Sequence, residues 1–163
     1  MNLGPYHIAR LRAMAELLPD IHVIEVAGEQ KLYPWRPDKE HLGFTLTTLF
    51  PRDACEEVPV RAQREAITTA LSQIDPTVVI VASYREPVMR AASRWTRDRG
   101  RPTLLLFSST SRDHPRTWWR EWLKGRFIKG YSIVAATGER AADYAIQLGF
   151  PGDSIMKIGN VVD

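Results

Sequence analysis

The chain of 163 residues, 44% hydrophobic and 25% charged, is about one domain long and composed like an ordinary globular protein, which excludes a disordered, collagenous or coiled-coil chain. Its single cysteine, Cys55, excludes an internal disulfide and a cysteine-based zinc site. The net charge of +3 is small but unevenly spread. Six arginines stand against Glu86 and Asp98 between Arg85 and Arg101, and six cations stand against Asp113 and Glu121 between Arg112 and Lys129, so the remainder is net acidic. An anionic partner is expected near those two segments: phosphate, nucleotide, phospholipid or nucleic acid. The apolar runs, none longer than Val78 to Ala82 and with Leu104 to Phe107 among the next, fall far short of the ~18 residues of a membrane span. The opening residues carry no charged-then-apolar leader pattern, and a cytoplasmic location is the default expectation.

In chain order, Pro5 opens a predicted helix with Ile8, Leu11, Met14 and Leu18 on one face, and Pro19 stops it. Ile21 to Ala27 alternates as a strand ended by Gly28, residues 28–42 form a polar, proline-containing connection, and Phe44 to Phe50 is a second strand. After a loop from Pro51 to Val58, Ala66, Ile67, Ala70, Leu71 and Ile74 mark the apolar face of a helix closed by Asp75-Pro76. Thr77 to Ala82 is a continuous β-branched run, the pattern of a strand buried on both faces of a parallel sheet. A helix over 86–99, a strand over Pro102 to Phe107, an aromatic helix over His114 to Lys129 and a strand over Tyr131 to Ala136 follow. A helix over Glu139 to Leu148 and a short strand over Ile155 to Ile158 complete the series.

Strand–helix–strand alternation with short turns implies right-handed crossovers, hence an α/β, Rossmann-like, doubly wound and mainly parallel sheet with helices on both faces. A doubly wound unit ordinarily begins with a strand at the centre of its sheet. This sequence begins with the turn Asn2-Leu3-Gly4-Pro5, so the usual first strand is expected to be lacking and the chain to be incomplete at both ends.

Ligands of open α/β sheets bind outside the carboxyl ends of the strands. The turns expected there are Ser83-Tyr84-Arg85-Glu86-Pro87, the polar run Ser108 to His114, and Thr137-Gly138-Glu139. Each leads into a helix N-terminus, which favours an anion; helix capping by Ser, Thr and Asp is the commoner reason for any single residue, whereas the seven-residue polar run 108–114 exceeds what one cap requires and points to function. Arg90, Arg94, Arg97 and Arg101 form a stripe that suits a solvated helix face. Trp118, Trp119, Trp122, Leu123 and Phe127 interleave with Arg116, Arg120 and Lys124, a pattern that suits either an anionic membrane interface or core packing with a basic rim. The sequence has no G-x-G-x-x-G, no G-x-x-x-x-G-K-[ST] and no G-x-S-x-G. Its four histidines are scattered without metal-ligand spacing, and no metal is expected. Nucleic acid is not expected either, since no recognised motif supports the weak positive charge.

Across essentially its whole length the chain resembles the N-terminal, acceptor-binding domain of GT-B-fold glycosyltransferases of the family 4 type. The resemblance is carried by Gly4-Pro5-Tyr6-His7 with Ala9-Arg10-Leu11, by TVVIVA leading into Ser83-Tyr84, and by PTLLLFSST at 102–110. It continues through Gly138-Glu139-Arg140-Ala141, Tyr144, Leu148-Gly149-Phe150-Pro151, Ile155 and Gly159-Asn160-Val161-Val162-Asp163. It implies a single acceptor-side domain over 1–163 whose donor domain is absent, supplied in cis or in trans. It further implies transfer from a nucleotide-sugar co-substrate held mainly by that absent domain, with retention and without a metal or other cofactor, and no activity of this chain alone. The acceptor would be a sugar, a lipid-linked group or a small molecule. By the same resemblance, Gly4 and Gly138 approach the donor phosphates, Asp113 and His114 are the catalytic candidates, and Ser83, Tyr84, Ser109, Thr110 and Arg116 line the acceptor side. The family's paired glutamates belong to the donor domain; Glu57 and Glu65 match their spacing by number only, with Pro59 between them. The competing expectation is a stand-alone Rossmann-like module for an anionic metabolite.

Overall fold

Every strand pair in the computed structural model, which describes residues 3–31, 40–112 and 117–159, is parallel. The α/β reading therefore holds, with the strands shared between a two-stranded and a four-stranded sheet. The chain divides into two compact units, Met1–Ile74 and Asp75–Asp163.

The first unit runs α1 (Pro5–Leu17), β1 (His22–Glu29), β2 (Thr45–Ala54) and α2 (Val60–Ile74). Gly4 is the N-cap of α1 and Pro5 its first residue, a position where the missing proline N–H costs nothing. Of the apolar face expected on α1 only Ile8 is buried; the helix ends at Leu17, and Leu18 lies in extended backbone, 52% exposed. Strands β1 and β2 pair from His22↔Thr45 onward, with a shift of register between Ala27 and Glu29. At that shift a Cβ on Gly28 would stand 2.5 Å from the Pro51 carbonyl oxygen, so only glycine admits the approach. Strand β2 continues past Phe50 through Pro51 to Ala54, further than expected. A proline is tolerated there because, among the described residues, β2 pairs with β1 alone. On β1 the buried carboxylate of Glu25 accepts hydrogen bonds from Thr48 Oγ1 (2.7 Å) and from the Leu3 N–H (3.1 Å), which fastens the turn before Gly4 to the sheet. Helix α2 buries Ile67, Ala70 and Leu71 as expected.

The second unit runs β3 (Val79–Val81), α3 (Pro87–Asp98), β4 (Thr103–Phe107), α4 (Trp118–Ile128), β5 (Ile133–Thr137), α5 (Glu139–Gln147) and β6 (Ile155–Ile158). The sheet order β3-β4-β5-β6 steps in one direction, so right-handed crossovers place these three helices on one face of this sheet. Thr103, Leu105 and Phe107 point to that face and are buried. Strand β3 is shorter than expected and is not buried on both faces: Val78 and Ile80 are 49% and 47% exposed. It lies at the end of its sheet, and β5, between two neighbours, takes the fully covered position with Val134, Ala135 and Ala136.

The core is organised by an aromatic row, Tyr84 to Phe107 (5.9 Å between ring centres) and Phe107 to Tyr144 (6.0 Å). Its members join the turn after β3, the end of β4 and the middle of α5. Burying a side chain such as Phe107 or Leu105 contributes about 1.5–3 kcal/mol. Asp75, with φ of 51°, is held by Arg101, whose guanidinium donates to the Asp75 carboxylate (2.7 Å) and to the Asp75 and Pro76 carbonyls.

Candidate functional site

In the second unit, the turns after β3 and β4 and the near side of α4 enclose a cleft of about 420 Å³. Tyr84 and Arg85 come from the first turn, Arg90 from the start of α3, Ser109 and Thr110 from the second turn, and Arg120, Glu121, Leu123, Lys124 and Phe127 from α4. The position is the carboxyl edge of a parallel sheet, as the strand order demands. Parallel strands end there together, and polar turns can gather without breaking the ladder.

Local sequence explains how each wall is held. The Ser83 hydroxyl accepts the Arg85 N–H (3.1 Å) and tightens the turn; Tyr84 and Arg85 line the cleft, and Ser83 does not. Pro87 starts α3, and the Arg90 N–H closes its first turn on the Glu86 carbonyl (3.1 Å). The Arg90 guanidinium lies 5.2 Å over the Phe127 ring, a cation–π contact joining α3 to α4 across the cleft. Thr110 accepts the Arg112 N–H at 3.3 Å, again a local turn. Gly125 sets how near α4 comes to the end of α5: a Cβ there would stand 2.5 Å from the Leu148 carbonyl oxygen.

Two of the lining residues, Glu121 and Lys124, form a hydrogen-bonded triad with Tyr144. Lys124 Nζ donates to Tyr144 Oη (2.7 Å) and Glu121 Oε1 (3.1 Å), and Tyr144 Oη donates to the same Glu121 oxygen (2.9 Å). Burial opposes the Lys124 charge, but its bonds to Tyr144 and Glu121 together outweigh that, and its pKa lies above the ordinary lysine value. Burial likewise raises the Tyr144 pKa, with Lys124 pulling against it and Glu121 adding to it. Lys124 therefore stays an ammonium and Tyr144 a phenol throughout the neutral range. With Arg85, Arg90, Arg120 and Lys124 against Glu121 as the one acidic residue among the described lining residues, these side chains carry a positive excess in a confined space, where charge-assisted bonds to an anion are strongest. The Ser109 and Thr110 hydroxyls add neutral donors and acceptors beside it.

Of the residues expected at the site, Tyr84, Ser109 and Thr110 come together in this cleft. Gly138 follows β5 at φ 85° and caps α5; its N–H is spent on the Ala136 and Ile158 carbonyls (3.0 and 3.1 Å). Gly4 belongs to the first unit, where its carbonyl accepts the His7 and Ile8 N–H groups. Asp113, His114 and Arg116 lie outside the described residues. The arginine stripe divides: Arg94 and Arg97 are exposed as expected, Arg90 turns into the cleft, and Arg101 lies beyond the helix as the clip on Asp75. Arg85 stands in the turn expected at the sheet edge, whereas sequence reasoning does not single out Glu121 or the pairing of Lys124 with Tyr144. The available signal was the spacing of Arg120, Leu123, Lys124 and Phe127 at three and four residues, which puts all four on one side of a helix.

Among the described residues no group of three or more His, Cys, Asp or Glu side chains could hold a metal ion, and no helix is long and apolar enough to cross a membrane. No protein-family model matches the chain, and no curated protein is detectably similar to it in sequence.

Proposed function

We propose that this chain is the acceptor-binding half of a GT-B-type glycosyltransferase, working with a donor lobe supplied in cis or in trans. Together they would move a sugar from a nucleotide-sugar to an acceptor hydroxyl, in the cytoplasm and at the periphery of a membrane. The observation behind this reading is the cleft at the sheet's carboxyl edge, which gathers Tyr84, Ser109 and Thr110 among four cations. In that role the hydroxyls orient the acceptor by exchanging hydrogen bonds with its own. Arg85, Arg90, Arg120 and Lys124 hold an anionic group on it, and Phe127 offers an apolar wall. Asp113 or His114, in the run after β4, takes the proton from the reacting hydroxyl.

The test is sugar transfer from a panel of nucleotide-sugars by the chain joined to a donor lobe, with Asp113→Ala and His114→Ala compared separately. Loss of the proton acceptor is expected to lower turnover by about 100-fold or more; unchanged turnover in both variants removes that loop from the chemistry. The four cations also support a second reading, a stand-alone module for an anionic metabolite. Saturable binding of a small phosphate ester, with no transfer from any donor, favours this reading over the first.

A further inference from the structure

Helix α4 presents three different arcs at ~100° per residue. One arc, with Gly125 and Ile128, is buried against the rest of the unit. The second, with Arg120, Lys124 and Phe127, faces the cleft. The third holds Trp118, Trp119 and Trp122, which are 82%, 49% and 63% exposed. Three large indoles on one solvent-facing arc are costly in water and are not explained by core packing. Leu123, 38% exposed, stands at the seam where this arc meets the cleft wall.

Cations frame the tryptophans. The Arg120 guanidinium lies 5.1 Å from the Trp119 ring centre and that of Arg126 lies 5.9 Å from Trp122, with Lys129 exposed one residue past the helix end. The only acidic residue from Trp118 to Lys129 is Glu121, and it is already engaged by Lys124 and Tyr144. Indole rings settle at the boundary between headgroups and acyl chains, and arginine and lysine seek the phosphates just above it. The arc thus complements an anionic bilayer in both polarity and charge.

We propose that this arc of α4 docks on an anionic lipid bilayer, and that the cleft beside it receives the phosphate-bearing headgroup of a lipid acceptor. The docking stands on α4 itself; the headgroup assignment rests on the acceptor reading of the cleft. With Leu123 at the seam, a headgroup reaches the cleft cations without its chains leaving the apolar layer. This narrows the acceptor to a phospholipid-type molecule and gives the basic, tryptophan-rich helix a physical task.

Flotation of the 163-residue chain with phosphatidylcholine vesicles, with and without phosphatidylglycerol, tests the docking. Binding is expected only to the anionic vesicles, weakening with salt. The Trp118→Ser, Trp122→Ser double variant is expected to bind roughly ten-fold more weakly or worse, because the buried indole area is lost. Both sites are exposed, so the fold is retained, and an unchanged environment at the buried Trp95 verifies this. No binding at low salt overturns the docking, as does equal binding by the variant. A solution dimer broken by the same substitutions also overturns it, since the arc would then be covered by a second copy. Calorimetric titration with glycerol 3-phosphate tests the cleft separately. Saturable binding that falls about ten-fold in Lys124→Met is expected from loss of a charge-assisted bond. Vesicle docking without that binding overturns the headgroup assignment alone. Glycerol 3-phosphate binding without vesicle docking overturns the docking and leaves the acceptor reading standing.

Discussion

Helices α3 and α4 flank the same cleft, and both combine arginine with tryptophan, yet they use these residues in opposite ways. Helix α3 buries its one tryptophan, Trp95, together with Val88 and Ala92, and turns Arg94 and Arg97 to water. Helix α4 buries only Gly125 and Ile128, turns its tryptophans outward and commits Arg120 and Lys124 to the cleft. The same residue types are therefore buried scaffold in one helix and exposed or cleft-lining surface in the other. What separates them is the width of the apolar arc: α3 keeps one apolar side, whereas α4 has too many aromatic residues for a single side to hold.

The sharpest way to break this contrast is to truncate a tryptophan in each helix. Trp95→Ala is expected to cost ~3–5 kcal/mol, as large aromatic truncations in cores do, whereas Trp122→Ala is expected to stay within about 0.5 kcal/mol. Urea unfolding measures both, and equal losses would show that α4 is packed like α3. Next in size is Gly125→Ala, whose new Cβ would meet the Leu148 carbonyl at 2.5 Å. Overpacking there is expected to cost about 1–3 kcal/mol and to shift the Tyr144–Lys124 contact, visible in the tyrosine ring resonances. Lys124→Met removes the shared cation of the triad and is expected to cost about 1–2 kcal/mol of thermal stability, less than either core change. The smallest effect is alkaline. Lys124 and Tyr144 both hold their protons more tightly in the fold than in the unfolded chain. Their contribution is therefore complete below the ordinary tyrosine value of 10.0 and is lost as pH rises through the raised values. Thermal stability is expected to decline more steeply above that point than in Tyr144→Phe, which lacks the phenolic proton.

Much of the architecture is readable from local patterning because parallel strands announce themselves as β-branched runs between glycine- or proline-ended helices. Thr103 to Phe107 and Ile133 to Ala136 are where the pattern placed them. The exceptions have tertiary causes. Among the described residues β2 pairs with β1 alone, so a residue without an N–H is tolerated at Pro51, and Ile80 is exposed where β3 ends its sheet. Neither neighbour relation is encoded nearby in the chain. The cleft was half legible: the rule that ligands meet strand ends located Tyr84, Ser109 and Thr110. The spacing of Arg90 reads as that of a solvated residue, since spacing alone does not show which turn of α3 meets α4. The inner side of α4 was illegible for a related reason. Its burial is decided by the glycine at 125, which lets the backbone approach Leu148, and not by its aromatic rings.

Strand β3 has β4 as its one hydrogen-bonded strand among the described residues, and Val78 and Ile80 are about half exposed. A short apolar strand with no described strand beside one margin is a template for strand addition by another polypeptide. In concentrated solution, loss of material through fibrous or amorphous association should therefore begin at this place, and a lysine at position 78 or 80 should suppress it.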